Sequence, residues 1–176
     1  VAEAHPALLE MDVLTNAPKA GGLESAGLAL SEDGRWIAAV AAGFLEVVDV
    51  RERRTVLQLG VESRPRRRVA ACDFSPDSSL LVMAGPGPGF SVWSAGDWQM
   101  LRRFGTDRTN SSSARFSPDG RRVVTTASTS AVEVWDPQSG EHIRSLGSVP
   151  RTVYDARFSP DGTRILLPGP SGYEPL

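Results

Sequence analysis

One short turn recurs along this chain at nearly constant spacing. Phe74-Ser75-Pro76-Asp77-Ser78 returns as Phe116-Ser117-Pro118-Asp119-Gly120 and as Phe158-Ser159-Pro160-Asp161-Gly162, and a looser copy, Leu30-Ser31-Glu32-Asp33-Gly34, precedes them. The serines lie 44, 42 and 42 residues apart. A fixed period in the forties means one supersecondary unit copied along the chain, with each copy burying its apolar faces against its neighbours.

The unit reads as four strands. In the third copy, Ala114-Arg115-Phe116 ends strand a. Ser117 to Gly120 follows as a tight turn: Pro118 presets φ, Asp119 suits the next position and Gly120 tolerates positive φ. Strand b, Arg122 to Ala127, is rich in β-branched residues. Strand c, Ala131 to Trp135, alternates apolar and polar residues. After the turn Asp136-Pro137-Gln138-Ser139-Gly140, His142 to Leu146 makes strand d. Counting from each serine predicts blades at 23–60, 61–105 and 106–147, and a partial blade at 148–176 with strands Val153 to Phe158 and Arg164 to Leu167. The fold class expected is all-β, a β-propeller of four-stranded antiparallel blades with about three and a half blades present and an incomplete ring. Residues 1–22 form an N-terminal segment in which Leu8 to Leu14 sits where the outer strand of a preceding blade would lie; a leader without structure is the alternative. The raw ends call for remaining blades of a longer propeller, the favoured expectation, or for another chain that closes the ring.

Phe116 to Gly120 followed by Val132-Glu133-Val134-Trp135-Asp136 resembles the WD-repeat β-propellers, over roughly residues 23 to 174. Trp135-Asp136 matches the pair that names that family; Val48-Asp49 and Trp93-Ser94 match more loosely. The family usually carries Gly-His before strand a and an Asp in the b–c turn, both bonded to the strand-c tryptophan. Here the glycines precede Val61, Thr106 and Ser148, and no b–c turn holds an Asp, so no copy makes that network. The resemblance implies a divergent member, or one of a neighbouring propeller family that shares the turn. It implies a non-enzymatic protein-interaction scaffold within a larger protein, bacterial signalling proteins included. The alternative is the propeller domain of an enzyme whose catalytic residues lie outside this chain.

Composition narrows the partners. A net charge of −2 gives no pull toward nucleic acid or an anionic membrane, and no run approaches the ~18 apolar residues of a membrane span. Cys72 is the single cysteine, so there is no disulfide framework, and one cysteine without a leader fits the cytoplasm. No cofactor is expected. His5 and His142 are the only histidines, and His142 falls on an outer strand. Asp77, Asp119 and Asp161 repeat because the turn repeats, which explains them without a metal. Gly85 to Gly89 lacks the Lys-Ser/Thr of a phosphate loop and reads as a stiff b–c loop. Cys72 reads as a small buried hydrophobe. Trp93 and Trp135 are expected to pack between blades; Trp36 and Trp98 are less constrained, and either could be an exposed anchor. The structural repeat set is thus Ser75, Pro76, Asp77, Trp93, Ser117, Pro118, Asp119, Gly120, Trp135, Asp136, Ser159, Pro160, Asp161 and Gly162.

Strand direction sorts the connections. In an antiparallel meander the d–a and b–c loops leave from one end of the blades, and the a–b and c–d turns from the other. The a–b turns are stereotyped, the d–a and b–c connections vary in length and chemistry, and variable loops on a stiff scaffold are where binding usually sits. Arg64, Arg66, Arg67, Arg68, Arg108 and Arg151 all fall in d–a connections. The expected partner is an acidic protein surface, set against a plain solvated loop.

Overall fold

A computed structural model describes residues 27–41, 44–59, 71–84, 89–105, 111–127, 131–148, 153 and 155–167. The described residues form strands joined by turns, with no helix among them. Strands β1 (Gly27–Leu30), β2 (Trp36–Ala41), β3 (Phe44–Asp49) and β4 (Arg54–Leu59) pair in order as one antiparallel sheet. So do β5 (Ala71–Phe74), β6 (Leu80–Ala84), β7 (Phe90–Ser94) and β8 (Met100–Phe104), and then β9 (Ser111–Phe116), β10 (Val123–Ala127), β11 (Ala131–Trp135) and β12 (His142–Ser148). A hairpin of β13 (Arg157–Phe158) and β14 (Ile165–Leu166) begins a fourth blade. These are sequential propeller blades in a ring that is not closed. Both strands of that hairpin are shorter than the sequence predicts. Among the described residues nothing pairs with the outer edge of β14, and an isolated hairpin holds little ladder of its own.

The core lies between blades. Ala38, Val40, Leu45 and Val47 of the first blade meet Cys72, Phe74, Leu81 and Met83 of the second. Val82, Ala84, Phe90 and Val92 face the other way, onto Ala114, Phe116, Val123 and Trp135 of the third. Val124 and Val132 meet Ala156 with Phe158 and Ile165 against them. Because successive side chains in a strand point to opposite faces, a middle strand covered on both sides is apolar along its length or, as in β10, carries buried threonines beside its valines. Leu80-Leu81-Val82-Met83-Ala84 is a run of the first kind. The outermost strands carry polar and exposed residues instead, as in Met100-Leu101-Arg102-Arg103. Every outer strand also holds an extra residue at the same register: Val56, Leu101 and Ile143 bulge opposite the steps Val47/Val48, Val92/Trp93 and Val134/Trp135, and β12 shifts register once more opposite Ala131/Glu133.

The repeated a–b turn is a closed hydrogen-bond module. The hydroxyls of Ser31, Ser75, Ser117 and Ser159 donate to Asp33, Asp77, Asp119 and Asp161 at 2.5–2.6 Å. The same oxygens accept the backbone N–H five residues on, from Trp36, Leu80, Arg122 and Arg164. Each Asp also accepts the N–H two residues on. Successive turns touch. A Cβ on Gly120 would stand 3.5 Å from Pro76, and one on Gly162 3.7 Å from Pro118. Ser78 takes the glycine position at φ 61° and its hydroxyl accepts the Asp33 N–H at 3.1 Å. The turn therefore locks blade to blade as well as strand to strand.

Candidate functional site

Arg64, Arg66, Arg67, Arg68, Arg108 and Arg151 lie outside the described residues, as do the segment Leu8 to Leu14 and the loop from Gly85 to Pro88. The opposite end of the blades is described in full. There the c–d turns reuse one device. Asp49 accepts the N–H groups of Arg51 and Glu52 at 2.9 and 3.0 Å, and Asp136 those of Gln138 and Ser139 at 2.7 and 3.1 Å. In the second blade the Ser94 hydroxyl accepts from Gly96 instead. The Asp of the Trp-Asp pair thus caps a turn. The N–H groups that Asp49 accepts, Glu52's first, hold its carboxyl below the ordinary value in spite of burial.

Trp36 is not an exposed anchor. It is buried, stacks edge-on against the half-buried Trp98 at 5.0 Å, and lies under the Arg35 guanidinium, 4.3 Å from the ring centroid. Trp98 sits at φ 58°, at the turn position that Arg53 and Gly140 fill in the other blades at φ 51° and 78°. The contact with Trp36 offsets the cost of that backbone. Nothing in the spacing of tryptophans announces this pair, because it joins strand b of one blade to the c–d turn of the next. Trp93 and Trp135 meet their indole N–H requirement locally, on Ser91 and Thr125 hydroxyls at 2.9 Å. These two bonds stand where the family network is missing.

Burial pushes the Cys72 thiol up to about 12, so it holds no thiolate at neutral pH. His142 is exposed on β12, edge-on to Trp135 at 4.8 Å. Among the described residues no group of three or more His, Cys, Asp or Glu is arranged to hold a metal ion, and no helix is long and apolar enough to cross a membrane.

The richest cluster of charge is one that sequence reasoning missed. The first strands of successive blades lie side by side, and each is the edge of its sheet, so its outer N–H and C=O groups need partners from the next blade. Asp73 on β5 accepts the Phe116 N–H of β9 at 2.8 Å. Arg115 donates to the Cys72 carbonyl at 2.8 Å, stands 4.0 Å from Asp73 and reaches Asp155 at 3.4 Å. Arg157 bonds the other Asp155 oxygen at 3.2 Å. Burial raises Asp73 above the ordinary carboxyl value, and Phe116 N–H and Arg115 offset only part of that. Burial also acts on Asp155, but the Arg115 charge and the Arg157 hydrogen bond bring it below. A cavity of about 340 Å³ opens along these strands, bordered by Leu28, Leu30, Asp73, Arg115, Arg157 and Phe158 among others.

The turn carboxylates set a pH limit. The serine hydroxyls hold Asp33, Asp77, Asp119 and Asp161 below their ordinary value of 3.8, Asp161 at about 2. A carboxyl depressed by folding adds stability above its unfolded value and loses it as pH falls through the folded one. Urea midpoints should therefore be level from pH 7 to 5 and drop between pH 4 and 2. Asp119→Asn should lower the midpoint at pH 7 and flatten the acid drop; an unchanged acid limb in that variant would count against the turns as its source.

The chain matches no protein-family model, and no curated protein matches it in sequence.

Proposed function

We propose that this chain is a divergent WD-repeat-like propeller segment that serves in the cytoplasm as a protein-interaction scaffold, without catalysis of its own. One observation carries the reading: the a–b turns of three blades and of the hairpin that begins a fourth repeat one hydrogen-bonded device and touch their neighbours, while the d–a and b–c connections differ from copy to copy in sequence. A stiff frame with one variable end is suited to presenting loops. The arginines at 64, 66, 67, 68, 108 and 151 give that end its basic chemistry and suit it to an acidic protein surface. The lone, buried cysteine supports a reducing compartment.

The test is binding to an immobilised glutamate-rich peptide at about 0.15 M salt, where weak surface attraction is screened. Reversing Arg66, Arg67 and Arg68 to Glu should weaken capture about tenfold or more. Reversing Arg102 and Arg103 on the outer strand β8 should leave it unchanged. Equal loss from both sets would mean general charge, and no loss from the first would overturn the reading.

A further inference from the structure

The first strands contain one dipeptide twice. Arg115-Phe116 ends β9 and Arg157-Phe158 is β13, in the same register relative to the Ser-Pro-Asp-Gly turn. In the third blade this dipeptide holds a carboxylate. The Phe116 N–H donates to Asp73 at 2.8 Å and the Arg115 guanidinium stands 4.0 Å from the same group. The N–H points away from β10 toward the preceding blade, so a carboxylate there satisfies an edge donor that the ladder leaves over.

In the fourth blade the donors recur and the acceptor does not. The residue in the place of Asp73 is Arg115, a cation that points on to Asp155. Arg157 is held in place by Nε on Asp155, and among the described residues its two Nη atoms have no partner. Its side chain is 68% exposed, against 20% for Arg115. Asp155 engages both arginines through separate oxygens and Asp73 bonds the Phe116 N–H, so the Arg157 charge, which also acts on Asp73, leaves the two Nη donors to an added carboxylate. Arg157 and Phe158 both border the cavity of about 340 Å³. That space falls in the range of ligand pockets and exceeds the needs of a single carboxylate.

We propose that Arg157 and the Phe158 N–H form a carboxylate-binding site for an acidic side chain of a partner peptide entering this cavity. The internal Asp73 shows the mode: one backbone N–H and one guanidinium on one carboxyl group. The cavity beside it accommodates the peptide flanks, with the exposed apolar side chains of Leu28 and Leu30 on its border. The site uses none of the loop arginines, so either proposal can fail without the other.

The experiment uses amide NMR of the full chain, titrated with the blocked peptide acetyl-Leu-Glu-Leu-amide, its Gln analogue and free glutarate. The Glu peptide should move the Phe158 amide proton downfield and saturate, while the Phe116 amide, already bonded to Asp73, stays. The Gln analogue should leave both in place. Arg157→Gln should weaken binding about tenfold, the scale of one charged hydrogen-bond pair, and Arg102→Gln should not. Asp73→Asn supplies the internal reference by shifting the Phe116 amide upfield. An unmoved Phe158 amide at about 10 mM peptide, beyond any affinity of use, overturns the site, as does full binding by Arg157→Gln. Glutarate binding as tightly as the peptide overturns the assignment to a peptide.

Discussion

Trp135→Ala should destabilise the protein by about 3–5 kcal/mol, the usual cost of emptying a buried tryptophan site. Three interactions fail together. The ring lies against Phe104 at 5.2 Å, across the contact between second and third blades, and edge-on to His142 at 4.8 Å. The indole N–H bonds the fully buried Thr125 hydroxyl. The hydroxyl keeps only a 3.4 Å bond to the Glu133 carbonyl once the indole is gone, so an under-satisfied polar group adds to the cavity. Trp135→Phe should recover most of the loss, because it restores the packing and forfeits only the N–H. Urea unfolding followed by circular dichroism and by tryptophan fluorescence checks both. If Phe is as damaging as Ala, the hydrogen bond and not the interblade stack dominates.

Gly89→Ala should be of similar size, about 3 kcal/mol or more, through a different cause. Gly89 has φ +73°, and a Cβ there would lie 1.9 Å from the Phe104 carbonyl oxygen and 2.9 Å from Gly105 Cα. Both obstacles are backbone, so no side chain can rotate away. The two glycines meet where β7 and β8 part, beyond the pair Phe90 and Phe104. Relief requires the end of that hairpin to open, and Phe90 and Phe104 belong to the same interblade core. The control is Gly34→Ala, where a Cβ meets nothing within 4 Å and only the positive φ of +68° is unfavourable. It should cost about 1 kcal/mol. Near-equal losses would show that conformation, not crowding, decides both.

The blades were legible because their signals are local. The Ser-to-Asp bond spans two residues and the hydroxyl to N–H bond spans five, so the turn carries its whole structure in its own sequence. The alternation of Ala131 to Trp135 and the apolar run of Leu80 to Ala84 are likewise within one strand. What escaped reading depends on which blade faces which. Asp73, Arg115 and Asp155 are about forty residues apart, and three charged residues in separate strands look like ordinary surface until the first strands are laid side by side. Trp36 and Trp98 are hidden for the same reason, and Trp98 further disguises itself by occupying a position where the third blade has Gly140. The proposed carboxylate site needed both kinds of knowledge: the repeat, which identifies Arg157-Phe158 with Arg115-Phe116, and the packing, which shows Asp73 on the first pair.

The extra residue in every outer strand bears on how these molecules behave in a crowd. A sheet edge with open N–H and C=O groups can template a foreign strand, and a straight edge does so best. In β4, β8 and β12 the bulges at Val56, Leu101 and Ile143 break the run of evenly spaced groups at the same point. An incoming strand can keep register on one side of each bulge but not on both. The rims therefore discourage stacking into fibrils although Leu101 and Ile143 are exposed, and the repeat multiplies a protection against aggregation along with the blade it protects.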